Sequence, residues 1–226
     1  MVIGMTSRDA ARQAMQERIL ETTDRLFYGQ GIRAVGVDTI AAEIGISKRT
    51  LYNYFPSKDA LIVAYLSRRA VPRGVSDRPP LEQILGVFDW LERWFASKAF
   101  RGCPFVNAVA EIGERAHPAT RIAVLQKERR RVAFRDILTR LGVADPDGLA
   151  TQLAILVEGA MAAALVRDDP AMARAAKSAA RVLLTAAGVM ADDDHSTGLK
   201  PRSRRLAPKS RRPSESSGRS ARKRRQ

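Results

Sequence analysis

Apolar residues recur at spacings of three and four along most of the first 190 positions, and no stretch alternates apolar and polar for long. This period is that of an amphipathic α-helix. The pattern predicts helices over Ala11–Tyr28, Val37–Ile44, a short segment ending at Tyr54, Lys58–Ala70, Leu81–Lys98, Pro104–Arg115, Pro118–Leu141, Pro146–Val166 and Pro170–Ala187. The chain is therefore predicted to be all-α, with about nine helices.

Proline and glycine mark the breaks between these helices. A segment rich in both precedes Leu81 and is predicted to be a linker, which divides the helical part into residues 1–70 and 71–190. Residues 191–226 are rich in Ser, Pro and Arg, a composition that cannot bury a core. They are predicted to form a disordered basic tail.

The segment Val37–Phe55, VDTIAAEIGISKRTLYNYF, contains two short amphipathic helices joined by Gly45, Ile46 and Ser47. Gly45 can adopt the positive φ that ends the first helix, and Ser47 can cap the second. This arrangement predicts a helix-turn-helix, whose second helix enters the major groove of DNA with its N-terminal residues at the base edges. The polar and aromatic residues of that helix are Lys48, Arg49, Thr50, Tyr52, Asn53 and Tyr54, all predicted to be available to DNA.

The pattern alone leaves an alternative open, because a glycine-hinged pair of short helices also occurs inside ordinary helical bundles. Charge does not decide between the two, since residues 12–66 carry seven basic and six acidic side chains. Attraction to phosphates would have to come from cations concentrated on one surface of this segment.

Residues 12–66 resemble the DNA-binding domain of the tetracycline-repressor (TetR) family. The resemblance rests on RILETTDRLF and GIRAVGVDTIAAEIGISKRTLYNYFPSKDALIVAYL, of which LYNYFPSKDAL is the most specific part. The long helices that follow resemble the family more loosely. The resemblance implies an N-terminal three-helix helix-turn-helix domain in residues 1–70 that binds DNA. It also implies a larger helical domain in residues 71–190 that binds an effector and dimerises.

By position, the resemblance implies that Lys48, Arg49 and Thr50 face base edges and that Tyr52, Tyr54 and Lys58 contact phosphates. The full predicted DNA-binding set is Thr39, Ser47, Lys48, Arg49, Thr50, Tyr52, Asn53, Tyr54 and Lys58. The chain departs from the family at Gly36, where a Ser or Thr usually caps the second helix and contacts phosphate. Asp38 or Thr39 is expected to cap that helix instead.

The last two predicted helices are rich in alanine and glycine, which let helices approach closely. Two such helices from each subunit could form a four-helix homodimer interface, and ordinary packing within one chain is the alternative. The apolar arc of Leu81–Lys98 is wide enough for burial against both a core and an effector cavity. The candidate effector residues are Phe88, Trp90, Leu91, Trp94, Cys103, Phe105, Asn107, Glu111, Phe134 and Met161.

Each of these candidates has a plain structural alternative. The apolar ones could be core residues, and Asn107 and Glu111 could be solvated or bonded to the backbone. Cys103 lies in RGCPFVNAVAE, which resembles a segment of some TetR-type regulators in which a cysteine senses electrophiles or oxidants. A lone cysteine is also commonly a small buried apolar residue. The basic run Lys127–Arg131 is predicted to be the solvated face of a long helix, and His117 a helix-boundary residue.

The formal net charge of +15 lies mainly outside the predicted fold. Residues 196–226 hold twelve Lys and Arg and one glutamate, so +11 belongs to the tail. The tail could raise non-specific DNA affinity, or it could be dispensable.

Several classes of protein are not predicted. One cysteine and two histidines match no zinc-site spacing, no catalytic or phosphate-loop motif is present, and no cofactor is expected. The longest apolar run, Leu153–Val166, contains Glu158 and is expected to be too short for a membrane span. A cytoplasmic regulator is predicted, most simply a dimeric repressor that an unknown small molecule releases from a palindromic DNA operator. The alternative is an architectural DNA-binding protein of little specificity, driven by the tail.

Overall fold

The computed structural model describes residues 6–70 and 77–190, where it contains nine α-helices and no strand. The first four helices are α1 (Ser7–Gln30), α2 (Val37–Ile44), α3 (Lys48–Tyr54) and α4 (Lys58–Arg69). The other five are α5 (Pro80–Phe95), α6 (Pro104–Ile112), α7 (Pro118–Arg140), α8 (Pro146–Arg167) and α9 (Ala171–Ala186). The predicted all-α class is confirmed. The predicted tail at residues 191–226, with His195, lies outside the described residues.

The helix ends differ from the predicted ones where capping decides them. Helix α1 begins at Ser7 rather than Ala11, because Thr6 and Asp9 form a reciprocal capping box. Helix α6 ends at Ile112 because Gly113 takes the left-handed conformation with φ 72°. Helix α7 begins at Pro118, where the Nδ1 atom of His117 accepts a hydrogen bond from the Ala119 N–H, so His117 is a helix-boundary residue as predicted.

Helices α1 to α4 surround one small core. Helix α1 packs against α2 and α4, and α2 packs against α3. Each helix contributes at least one fully buried aliphatic side chain, namely Ile19, Ile40, Leu51 and Leu61. Leu51 and Phe55, which are four residues apart, anchor α3 and its end to this core, so the opposite side of α3 faces outward.

Helices α5 to α9 form the larger body. Helix α8 packs against α7 and α9, and α5 packs against α9, α7 and α8. Helix α8 extends on both sides of the apolar run Leu153–Val166, and over its 22 residues it is, by length and composition alone, apolar enough to cross a membrane. One side of α8 is nevertheless core, with Leu153 and Val157 fully buried.

The two groups of helices touch along α4 and α7 and through several polar contacts. The Tyr28 hydroxyl accepts a hydrogen bond from the Arg101 N–H and donates one to the Gly102 carbonyl, both at 3.0 Å. The Glu111 carboxylate accepts a hydrogen bond of 2.8 Å from the Arg33 N–H. Helix α1 is therefore bonded to the loop that precedes α6, and the loop after α1 is bonded to the C-terminal part of α6. The predicted domain boundary at residue 70 stays a prediction.

Candidate functional site

The turn between α2 and α3 has the geometry that the sequence predicts. Gly45 ends α2 in the left-handed conformation with φ 79°, and its N–H donates to the carbonyls of Ala41 and Ala42. The Ser47 hydroxyl caps α3, accepting a hydrogen bond of 3.0 Å from the Thr50 N–H. A second contact of 2.8 Å joins the hydroxyls of Ser47 and Thr50. These local bonds set the direction in which α3 leaves the turn.

The outward side of the α2–α3 pair brings most of the predicted DNA-binding residues together. Exposed positions are held by Thr39, Ser47, Lys48, Arg49, Tyr52 and Asn53. The other three predicted residues, Thr50, Tyr54 and Lys58, are half-buried. Tyr54 is less exposed than predicted, because its ring packs against the core and lies under the Arg12 guanidinium.

The start of α2 differs from the expectation. No side chain of the described residues caps the helix at Gly36, so neither Asp38 nor Thr39 replaces the missing hydroxyl. The Asp38 carboxylate instead accepts a hydrogen bond of 2.9 Å from the Lys48 ammonium at the start of α3. This hydrogen bond raises the pKa of Lys48 above its ordinary value. The carboxylate of Asp38, which was expected to cap α2, is thus bonded to Lys48, a cation 10 positions away.

Lys58 stands at the start of α4, which Ser57 caps by accepting a 3.0 Å hydrogen bond from the Ala60 N–H. Its ammonium lies 5.9 Å from the centre of the Phe27 ring, a cation–π contact. The flexible side chain can leave this ring to meet a phosphate, since one such contact is weak.

Two arginines of α1 contact the C-terminal ends of α2 and α3, and the sequence interpretation missed both contacts. The Arg18 guanidinium donates to the carbonyl of Ile44 at 3.2 Å, and that of Arg12 reaches the carbonyl of Asn53 at 3.5 Å. Both carbonyls lie at the C-terminal ends of helices, where a cation is favoured. The arginines precede their partners by 26 and 41 positions, so no local pattern predicts the contacts.

The apolar effector candidates fall into two groups. Five are buried in the body, namely Phe88, Leu91, Phe105, Phe134 and Met161. Trp90 and Trp94 are half-buried and stacked, with ring centres 4.9 Å apart. Phe100, which the sequence interpretation did not single out, meets the ring of Trp94 edge-on at 5.0 Å. These three rings form a continuous aromatic cluster at one side of α5.

The polar effector candidates are engaged within the chain. The Asn107 amide donates to the carbonyl of Arg101 at 2.7 Å, and Glu111 accepts from the backbone of Arg33. The alternative of bonding to backbone therefore holds for both residues in this structure. Cys103 is buried, and its sulfur lies 3.1 Å from the ammonium of Lys127.

The basic run on α7 is not simply solvated. Lys127 and Arg130 are half-buried, and both form ion pairs with Glu158 of α8, at 2.9 Å in the case of Arg130. The expectation of a solvated face was wrong for these two residues, because they point at α8 rather than away from it. The only charge within residues 148–166 is thereby satisfied inside the body.

The fold and the outward face of α3 define a helix-turn-helix protein of the DNA-binding kind. A family model described as bacterial regulatory proteins, tetR family, matches residues 19–65. A tetR-transcriptional regulator of Streptomyces avermitilis has a TM-score of 0.69 at 35% identity, covering 76% of this chain and 97% of that one. The regulator SCO4454 of Streptomyces coelicolor has a TM-score of 0.68 at 32% identity, covering 76% and 94% of the two chains.

Curated sequences agree over a shorter range. An HTH-type transcriptional regulator of Mycobacterium tuberculosis is 36% identical over 81 residues, which are 36% of this chain and 39% of that protein. The match thus spans about two-fifths of the length of the first curated relatives. The chain belongs to the TetR family of transcriptional regulators, and its helix-turn-helix is the family's DNA-binding element. Regulators of this family are in general not enzymes.

Proposed function

We propose that this protein is a dimeric transcriptional repressor that reads a palindromic DNA operator and is released from it by a small-molecule effector. The observation that carries the proposal is the outward face of α3, where Lys48, Arg49, Tyr52 and Asn53 stand exposed while Leu51 anchors the opposite face. A helix held in this way can enter the major groove without giving up its place in the core.

The side chains on this face support distinct roles. Lys48 and Arg49 occupy the first turn of α3, which is the part of a recognition helix that meets base edges. Thr50 follows them, and its hydroxyl, which contacts that of Ser47, would face the same groove edge. The other predicted residues would contact the phosphates on either side of the groove, namely Thr39, Ser47, Tyr52, Asn53, Tyr54 and Lys58. Arg12 packs against Tyr54 at one end of this set.

The outer surface of α8 and α9 supports dimerisation through these two helices. Ile155 and Val166 on α8 are 64% and 85% exposed, and Val182 on α9 is 62% exposed. Between the α8 residues lies Gly159, where an added methyl group would meet no described atom within 4 Å. Apolar side chains beside an open glycine suit close approach of a second copy, which would place two recognition helices on successive turns of DNA.

The effector would bind in the body formed by α5 to α9. The stacked Trp90 and Trp94, with Phe100, offer it an apolar aromatic surface beside the buried candidates. Its binding would reach the DNA-binding half through the contacts of α6 and α7 with α1 and α4. An effector releases the operator only if it binds the DNA-incompetent arrangement more tightly than the other.

Selection of bound sequences from a random pool of DNA duplexes, with the purified full-length protein, tests the proposal. A two-fold symmetric motif is expected, because two identical recognition helices read two half-sites. A pool without any motif would contradict sequence-specific regulation and would favour an architectural protein driven by the basic tail. The protein is proposed to work in the cytoplasm, where such an operator would be found.

A further inference from the structure

The ion pair between Asp38 and Lys48 lies on the DNA-reading surface itself. Asp38 is in the first turn of α2 and Lys48 is the first residue of α3, so the pair bridges the starts of the two helices. The Asp38 side chain is 72% exposed and the Lys48 side chain 50% exposed. An ion pair this exposed adds little to folding stability, so stability alone does not account for an acid at this position.

The acid is unusual because of what surrounds it. The first turn of α3 contains Lys48 and Arg49 and no acidic residue, and Asp38 is the carboxylate bonded to it. A carboxylate on a surface that meets phosphates opposes binding to DNA of any sequence. Such a repulsive element increases discrimination where the specific complex offsets the penalty and complexes with random sequences do not.

The chemistry of lysine explains what the pairing achieves. An ammonium is a compact charge on a flexible stem, and an unrestrained one reaches whichever phosphate is nearest. Phosphate contacts add affinity but carry no sequence information, whereas contacts to base edges do. The 2.9 Å hydrogen bond to Asp38 holds the Lys48 ammonium beside the start of α3. It thereby limits how many phosphates of the DNA backbone the ammonium can reach.

We infer that Asp38 is a specificity-determining residue that positions Lys48 for base readout and penalises binding to random sequences. The inference rests on the proposed function, because it assigns a role within the same DNA-reading surface. Asp38 acts through its contact with Lys48 and needs no contact of its own with a base. The pair would remain formed in the specific complex and would be strained or broken in non-specific ones.

The test compares Asp38→Asn with wild-type full-length protein on two probes. One probe is the duplex that the wild-type protein selects from the random pool, and the other is a shuffled duplex of the same composition. Fluorescence anisotropy over a series of KCl concentrations gives affinity and salt slope for each. The substituted asparagine keeps the shape of aspartate and removes its charge, and a thermal melt checks that the variant folds.

We expect Asp38→Asn to bind the shuffled duplex more tightly, with a salt slope steeper by about 0.9 for each additional phosphate contact. The preference for the selected duplex should fall on the order of tenfold, the size of a good base contact. Repeating the selection with the variant should return a weaker motif at the positions nearest the start of α3.

Glu43→Gln is the matched control. Glu43 is also on α2 and also forms an exposed ion pair, with Arg25 of α1 at 2.6 Å, so the change in net charge is identical. This variant should change the affinities for both duplexes by the same factor. An Asp38→Asn variant whose preference stays within about twofold of wild type would overturn the inference, as would one that behaves like Glu43→Gln.

The inference and the proposed function fail in different ways. A wild-type protein that selects no motif contradicts both. A wild-type protein that selects a symmetric motif, with a preference that survives Asp38→Asn, contradicts the role of Asp38 and leaves the regulator intact.

Discussion

Helices α3 and α8 each leave one face uncovered, and the two faces are opposites in chemistry. The uncovered face of α3 presents Lys48, Arg49, Tyr52 and Asn53, all of which donate hydrogen bonds. The uncovered face of α8 presents Ile155, Gly159, Ala162 and Val166, which offer no side-chain hydrogen bond at all. A donor-rich face suits the acceptors of a DNA groove, whereas an apolar face of this kind suits another protein surface.

The handling of charge explains how α8 comes to expose an apolar face. Glu158 turns inward and pairs with Lys127 and Arg130 of α7, so the solvent-facing side of the helix is left without a charge at its centre. In α3 the arrangement is reversed, because the apolar Leu51 turns inward and the cations remain outside. The choice of which side chain turns inward, a charged one in α8 and an apolar one in α3, thus gives the two helices different outer surfaces.

The largest effect is expected from placing a charge on the apolar face of α8. Ile155→Glu should dissociate the proposed dimer and lower operator affinity by about a hundredfold or more, since two linked half-sites gain that much over one. Light scattering coupled to gel filtration would measure the mass, and anisotropy the affinity. Val124→Glu on α7, where the valine is 61% exposed, is the control and should remain dimeric. A dimeric Ile155→Glu variant would place the interface elsewhere.

A smaller effect is expected on α3, where the roles of two cations can be separated. Arg49→Ala should lose discrimination at particular base pairs by roughly 1–3 kcal/mol each. Lys58→Ala should weaken binding to every sequence and reduce the salt slope by about 1. Titration of cognate and random duplexes over a salt series would separate the two. Identical behaviour of both variants on both duplexes would contradict the assigned roles.

The smallest effect concerns the contact between the two halves of the molecule. Tyr28→Phe removes a hydroxyl that bonds Arg101 and Gly102, and it should lower the free energy of unfolding by about 0.5–1.5 kcal/mol. Urea unfolding would measure the loss. Tyr52→Phe, the same change on the exposed face of α3, is the control. An equal loss in both variants would show that the hydrogen bonds of the Tyr28 hydroxyl do not stabilise the fold.

The same tyrosine predicts a dependence on pH. Burial raises the pKa of Tyr28 above its usual value of 10.0, and burial raises the pKa of Tyr65 in the same direction. Well below pH 10.0 both groups stay protonated in the folded and unfolded chains, so their contribution is constant. Above it the unfolded chain loses protons first, so stability falls as pH rises. The fall should be shallower in Tyr28→Phe, as urea midpoints across this range would show.

Much of the fold and part of the site could be predicted because the responsible signals are local. The period of apolar residues located all nine helices of the described ranges, and Gly45 and Ser47 identified the turn between α2 and α3. The missed features join distant positions. Arg12 and Asn53 are separated by 41 positions, and Glu111 and Arg33 by 78, so their contacts depend on how whole helices pack.

The sequence by itself therefore determined the helices, the glycine-hinged turn and the outward residues of α3, because periodicity and capping act within about one helical turn. Only the tertiary structure decided where the charges go. In the folded protein Asp38 forms an ion pair with Lys48 and does not cap the N-terminus of α2, and the carboxylate of Glu158 lies between two cations. Which partner a charge meets depends on distances of a few ångströms between helices, and those distances are set by packing.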